Sequence, residues 1–175
     1  MWAQDEGRIG LQHVLRRIWA PVGCRPTAVI RPSYKWLYVY AFVEPSSGET
    51  FWLFLPRVDT ETFALALQEF ADHVGASSSN RVALVLDNAG WHRTTQLEVP
   101  EGIDLVFLPP YAPELQPAER LWPELHQFMA NQYFESLDHL EEALIPGCRY
   151  LINDSDRVRR LTNYHWWADA LSAIN

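Results

Sequence analysis

With 175 residues, a hydrophobic fraction of 48% and eight tryptophans, the chain has enough apolar material for one folded domain and is not a disordered segment. No apolar run reaches the roughly eighteen residues of a membrane span. No secretory leader is read, and Cys24 and Cys148 form no CxxC, so a cytoplasmic chain without a disulfide framework or membrane partner is expected. The net charge of −8 opposes the approach of a polyanion, because nucleic-acid binding rests on phosphate neutralisation by Lys and Arg. Arg16-Arg17, Arg31 with Lys35, and Arg157 with Arg159-Arg160 are local exceptions, and each reads equally well as an ordinary solvated face.

In chain order, Met1 to Gln4 read as a very short strand ending at Asp5, followed by a loop from His13 to Pro26 with its turn at Pro21-Val22-Gly23. Trp36 to Val43 and Thr50 to Leu55 are rich in aromatic and β-branched residues and flank the turn Glu44 to Glu49, so they predict a hairpin. Asp59 or Thr60 can cap a helix running to Val74, with Phe63, Leu67, Phe70 and Val74 on one face. Val82 to Leu86 is apolar throughout, as in a strand buried on both faces. A short helical piece follows His92, and Leu105 to Leu108 form the last strand. Helices are then expected over 117–132, from Ser136 or Leu137 to Leu144, and from Asp156 to Ala173. Strands interspersed with helices suit a mixed sheet flanked by helices, an α/β arrangement.

The chemistry concentrates at two places. Asp87 ends the buried strand and opens Asp87-Asn88-Ala89-Gly90-Trp91-His92. Glu119 follows the proline-rich segment Pro109 to Pro117 and starts a helix. Two hard oxygen ligands placed this way can hold divalent cations. A lone Asp at a strand end is more often a turn residue, and a Glu at a helix start can simply complement the helix dipole. The prolines stiffen the segment and would fix Glu119 against Asp87 at low entropic cost. Trp122, Phe128, Leu121 and Leu125 are expected to cover the sheet. Base stacking by Trp91 or Trp166-Trp167 is less expected than packing.

The pattern of a strand, Asp-Asn-Ala-x-x-His, a second strand, then Leu108-Pro109-Pro110-Tyr111-x-Pro113-Glu114-Leu115-x-Pro117-x-Glu119-Arg120-Leu121-Trp122 resembles bacterial mariner-like insertion-sequence transposases, the IS-six-thirty family of DDE enzymes. Asp5-Glu6 and the Trp19-Ala20-Pro21-x-Gly23 turn resemble that family's first catalytic segment. The resemblance implies a ribonuclease-H-like fold and a triad of Asp5, Asp87 and Glu119. These three would ligate Mg²⁺ or Mn²⁺, with two ions expected. Glu6 beside Asp5 points to the opposite face of a strand by alternation, so only one of the pair can face Asp87, and the family pattern favours Asp5. Asn88 and His92 are secondary candidates; His92 could position water or phosphate, or be a hydrogen-bonded surface residue. Glu114 is read as structural or rim-forming. Gln116 stands where the family commonly has Asn.

The implied activity is strand cleavage at transposon ends followed by joining of the 3′-hydroxyl to target DNA. The implied partners are transposon-end and target DNA, with a homodimer or a helix-turn-helix-containing subunit as protein partner. The family carries helix-turn-helix segments ahead of the catalytic core, whereas four residues precede Asp5 here. Residues 1–175 are therefore expected to be a single catalytic domain without that region. The alternative is a truncated, inactive transposase remnant or a partner-binding subunit.

Overall fold

A computed structural model describes residues 1–12, 14–25, 27 and 33–174, with side chains to residue 170. His13, Pro26 and Arg31 of the readings above lie outside the described residues. A five-stranded mixed sheet forms the centre, in the order β3-β2-β1-β4-β5. The strands are β1 (Trp2–Gly10), β2 (Trp36–Glu44), β3 (Glu49–Leu55), β4 (Val82–Leu86) and β5 (Ile103–Phe107). The first three pair antiparallel, and β4 and β5 run parallel to β1.

Each face of the sheet has its own helical cover. Helix α1 (Thr60–Val74) packs Phe63, Leu67 and Phe70, all fully buried, against Tyr40, Phe42, Leu84 and Leu86. Asp59 caps it by accepting from the Thr62 N–H at 2.8 Å, and Gly75 ends it at φ 62°, a left-handed conformation that suits glycine. The opposite face carries α2 (Trp122–Leu125), α3 (Leu137–Asn153), α4 (Ser155–Thr162) and α5 (His165–Ile174). They close over Ala3, Ile9, Val39, Ala41 and Val43. Among the described residues no helix is long and apolar enough to cross a membrane.

Several elements differ from the expectations. Strand β1 does not stop at Asp5 but continues to Gly10, because β2 pairs with it from Ala3 through Gly10. Asp5 thus lies mid-strand. The expected helix over 117–132 is a succession of short turns, Pro117–Leu121 and His126–Phe128 being 3₁₀ around the four-residue α2. Pro123 has no N–H to give a continuous ladder. Helix α3 instead runs past Leu144 and through Pro146, because Leu140, Leu144, Cys148 and Leu151 keep one buried face across the break. The last expected helix is two, separated at Asn163 and Tyr164. After His92 the chain makes turns, not a helix.

The expected covering role of Leu121, Trp122 and Leu125 is seen in their burial. Trp167 is fully buried, and Trp91 and Trp166 pack against the two cores.

Candidate active site

Strands β1 and β4 pair only at Trp2 with Leu84 and Ala3 with Val85. The same offset, carried two residues further, sets Asp5 level with Asp87 just where the strands part. A cavity of about 400 Å³ opens there, lined among others by Asp5, Asp87, Asn88, Tyr111, Gln116 and Glu119. The three expected carboxylates therefore share one cavity, at the end of a buried strand where the sheet opens. Glu114 lies exposed on the turn Pro113–Leu115, away from the cavity lining. Among the described residues no three His, Cys, Asp or Glu side chains are gathered tightly enough to ligate one ion.

Asp5 is held from the helical side. The Trp122 indole Nε1 donates to its Oδ2 at 2.7 Å. The Asp5 carboxyl is raised to about 7: burial is the largest cause and the charges of Glu119 and Glu6 add to it, against the hydrogen bonds from Trp122 and from the Glu6 backbone, which lower it. Glu119 is also raised, by burial and then by the Asp87 charge. Asp87 behaves oppositely. Both Asp87 and Glu119 are exposed residues, but the hydrogen bond between Asp87 and His92 holds Asp87 below the usual carboxylate range.

Alternation sends Asp5 and Glu6 to opposite faces of the sheet, as expected, yet Glu6 still reaches Asp87. Asp5 and Gly7 face Trp122, and Glu6 faces the α1 side of the sheet. There Glu6 Oε1 lies 2.9 Å from His92 Nε2, and His92 Nδ1 lies 2.9 Å from Asp87 Oδ1. Glu6 thus reaches Asp87 through an imidazole. His92 is 2% exposed and packs against the Phe63 ring at a tilt, so it is not a surface residue. Burial works against its charge, but the bonds to Asp87 and Glu6 outweigh it and lift His92 to about 9.

Asn88 donates to the Leu108 carbonyl and accepts from Arg93 at 2.7 Å, which ties the end of β4 to the segment after β5. Gln116 Nε2 donates to the Gln4 carbonyl at 2.9 Å, both groups being buried, and so latches the proline-rich segment to β1 one residue before Asp5. Tyr111 stands fully exposed at the rim with φ 59°, a conformation uncommon for a residue other than glycine.

Trp122 and Glu6 are the positioning residues the sequence reading missed. The three-residue spacing of Glu119 and Trp122, which puts both on one side of a helical turn, was the available signal. The 86-residue separation of Glu6 and His92 left none.

A mixed sheet with helices on both faces and an acidic cleft at the β1/β4 divergence defines a ribonuclease-H-like domain. The crystal structure of the Mos1 strand transfer complex superposes with a TM-score of 0.57 at 16% identity, covering 94% of this chain and 55% of that one. The catalytic domain of Mos1 mariner transposase gives 0.54 at 14% identity, covering 91% and 80%. This chain spans about half the length of the Mos1 chain in the strand transfer complex. An uncharacterized protein of Sinorhizobium fredii (strain NBRC 101917 / NGR234), y4pE/y4sA, is 39% identical over 134 residues, covering 75% of this chain and 96% of that protein. Residues 1–141 match the family model of the DDE superfamily endonucleases, and the chain belongs to that family.

Proposed function

We propose that this chain is the catalytic domain of a DDE transposase. It would cleave DNA strands at transposon ends and transfer the resulting 3′-hydroxyl to target DNA. The observation that carries the reading is the convergence of Asp5, Asp87 and Glu119 on one cavity. The donor set suits Mg²⁺ or Mn²⁺. All three are hard oxygen ligands, and Asp5 and Glu119 are raised by burial and by neighbouring carboxylate charge, which a cation relieves. Two bound ions would supply an activated water or 3′-hydroxyl and charge stabilisation on the leaving oxygen.

The remaining roles belong to the protein. Glu6 and His92 orient Asp87, Trp122 orients Asp5, and the Gln116 latch fixes the segment that carries Glu119. Transposon-end and target DNA are the proposed substrates, in line with the strand-transfer and paired-end states named for the Mos1 structures. A second copy, or a subunit with a helix-turn-helix segment, is the proposed source of end recognition.

The test is nicking of supercoiled plasmid with Mg²⁺ or Mn²⁺, against the same reaction in chelator. Asp5→Asn, Asp87→Asn and Glu119→Gln should each lower the rate at least about a hundredfold, since each removes a charged ligand. Undiminished nicking in all three variants would overturn the reading.

A further inference from the structure

The guanidiniums that bond to a side chain divide into two groups. Among the described residues, Arg57, Arg81, Arg157 and Arg159 each meet an aspartate or glutamate. Arg93 and Arg120 do not. Arg93 donates from Nη1 to the side-chain oxygen of Asn88 at 2.7 Å, and Arg120 donates from Nε to the Tyr164 hydroxyl at 2.7 Å. Both partners are neutral, so they fix the side chain without offsetting its charge. An aromatic ring steadies each one as well, Phe107 at 5.2 Å from the Arg93 guanidinium carbon and Tyr164 at 5.7 Å from that of Arg120.

These two arginines stand beside the carboxylate cavity. Asn88 and Glu119 line it, and Arg120 follows Glu119 directly. Both are exposed. A guanidinium carries five N–H donors in a rigid fork that matches two oxygens of a phosphate. One bond from Nη1 leaves Arg93 its Nε–Nη2 edge, and one bond from Nε leaves Arg120 both Nη groups. Each therefore keeps a two-donor edge. The chain as a whole repels a polyanion at a net charge of −8, so cations that are held but not neutralised decide where a phosphate backbone can lie.

We propose that Arg93 and Arg120 grip the DNA backbone on the two sides of the cavity, one at Asn88 and one at Glu119, each binding a phosphate that flanks the one to be cut. This rests on the reading of the cavity as a site of DNA strand cleavage. The contacts are to phosphate oxygens, so they position the strand and carry no base preference.

The experiment measures binding without cleavage. A fluorescein-labelled duplex of mixed sequence is titrated by anisotropy in chelator over a series of NaCl concentrations, with the wild type, Arg93→Gln, Arg120→Gln and the double variant. Arg81→Gln is the control. It removes the same charge at the opposite end of β4, from an arginine already paired with Asp104. The readout is the slope of log affinity against log salt, which counts phosphates neutralised at about 0.9 each on duplex DNA. A partly unfolded variant loses affinity at every salt concentration but keeps its slope. Each single variant should flatten the slope by about 0.9 and the double variant by about 1.8, while Arg81→Gln keeps the wild-type slope. A wild-type slope in either single variant, or an equal flattening in Arg81→Gln, overturns the proposal. A wild type that binds no duplex even at low salt overturns the DNA-substrate reading beneath it as well.

Discussion

His92 Nε2 lies 2.9 Å from Glu6 Oε1, although Glu6 projects from the face of β1 opposite Asp5. With its other nitrogen on Asp87, the ring joins the two faces of the sheet through a buried charge. The pH dependence follows. His92 is raised from 6.5 to about 9, so its contribution to the stability of the ion-free protein is complete below 6.5 and is lost as pH rises towards 9. Asp5, raised from 3.8 to about 7, acts over a lower window. The folded state binds its proton more tightly, so ionising it between those values also lowers stability. The unfolding midpoint of the ion-free protein should therefore fall between pH 6.5 and 9, and His92→Gln should flatten the decline. Parallel profiles for the two proteins would remove His92 as its cause.

Gly7→Ala should destabilise the fold by about 1–3 kcal/mol through overpacking against the Trp122 ring, which a Cβ would approach to 2.9 Å. Denaturant titration measures it. A change well under about 0.5 kcal/mol, the range of ordinary surface substitutions, would mean the indole has room to move and is not clamped.

Gln116→Ala should cost about 1–3 kcal/mol, the scale of leaving a buried polar group without its partner, because the Gln4 carbonyl loses a 2.9 Å bond. Nicking should fall further than the stability loss explains, since the segment carrying Glu119 is no longer latched to β1. Plasmid nicking at a temperature where the variant remains folded separates the two effects. A rate equal to wild type would confine Gln116 to stability.

How much of this was legible beforehand depends on the range of each interaction. The α1 face and a cap at Asp59 or Thr60 are written in local spacing, and the structure selects Asp59. Asp87 and Glu119 stand out because a buried strand and a proline-rich segment frame them. The true length of β1 was hidden, because Glu6, Gly7 and Arg8 look like a turn until β2 pairs with them across 29 or more intervening residues. Pro146 marks a helix end by local rules, yet α3 passes it because the buried stripe of Leu140, Leu144, Cys148 and Leu151 outweighs a break costing about 3 kcal/mol. The Glu6–His92 contact depends on tertiary placement alone.

DNA affinity should be weak and salt-sensitive. The net charge is −8, and in the 157–160 basic group Arg157 already pairs with Glu124 and Arg159 with Asp156. Fluorescence anisotropy with duplex DNA at physiological salt should give a Kd no tighter than about 10⁻⁶ M, the strong end of non-specific binding. Nanomolar, sequence-selective binding would place end recognition within this chain.

The most direct test of the central claim is calorimetric titration of Mn²⁺ into the wild type and Asp87→Asn at pH 8, where Asp5 is ionised. The account predicts saturable binding by the wild type, accompanied by a higher unfolding temperature, and at least about a tenfold loss of affinity in Asp87→Asn, the scale of removing one charged partner. Equal binding by the two proteins would contradict it.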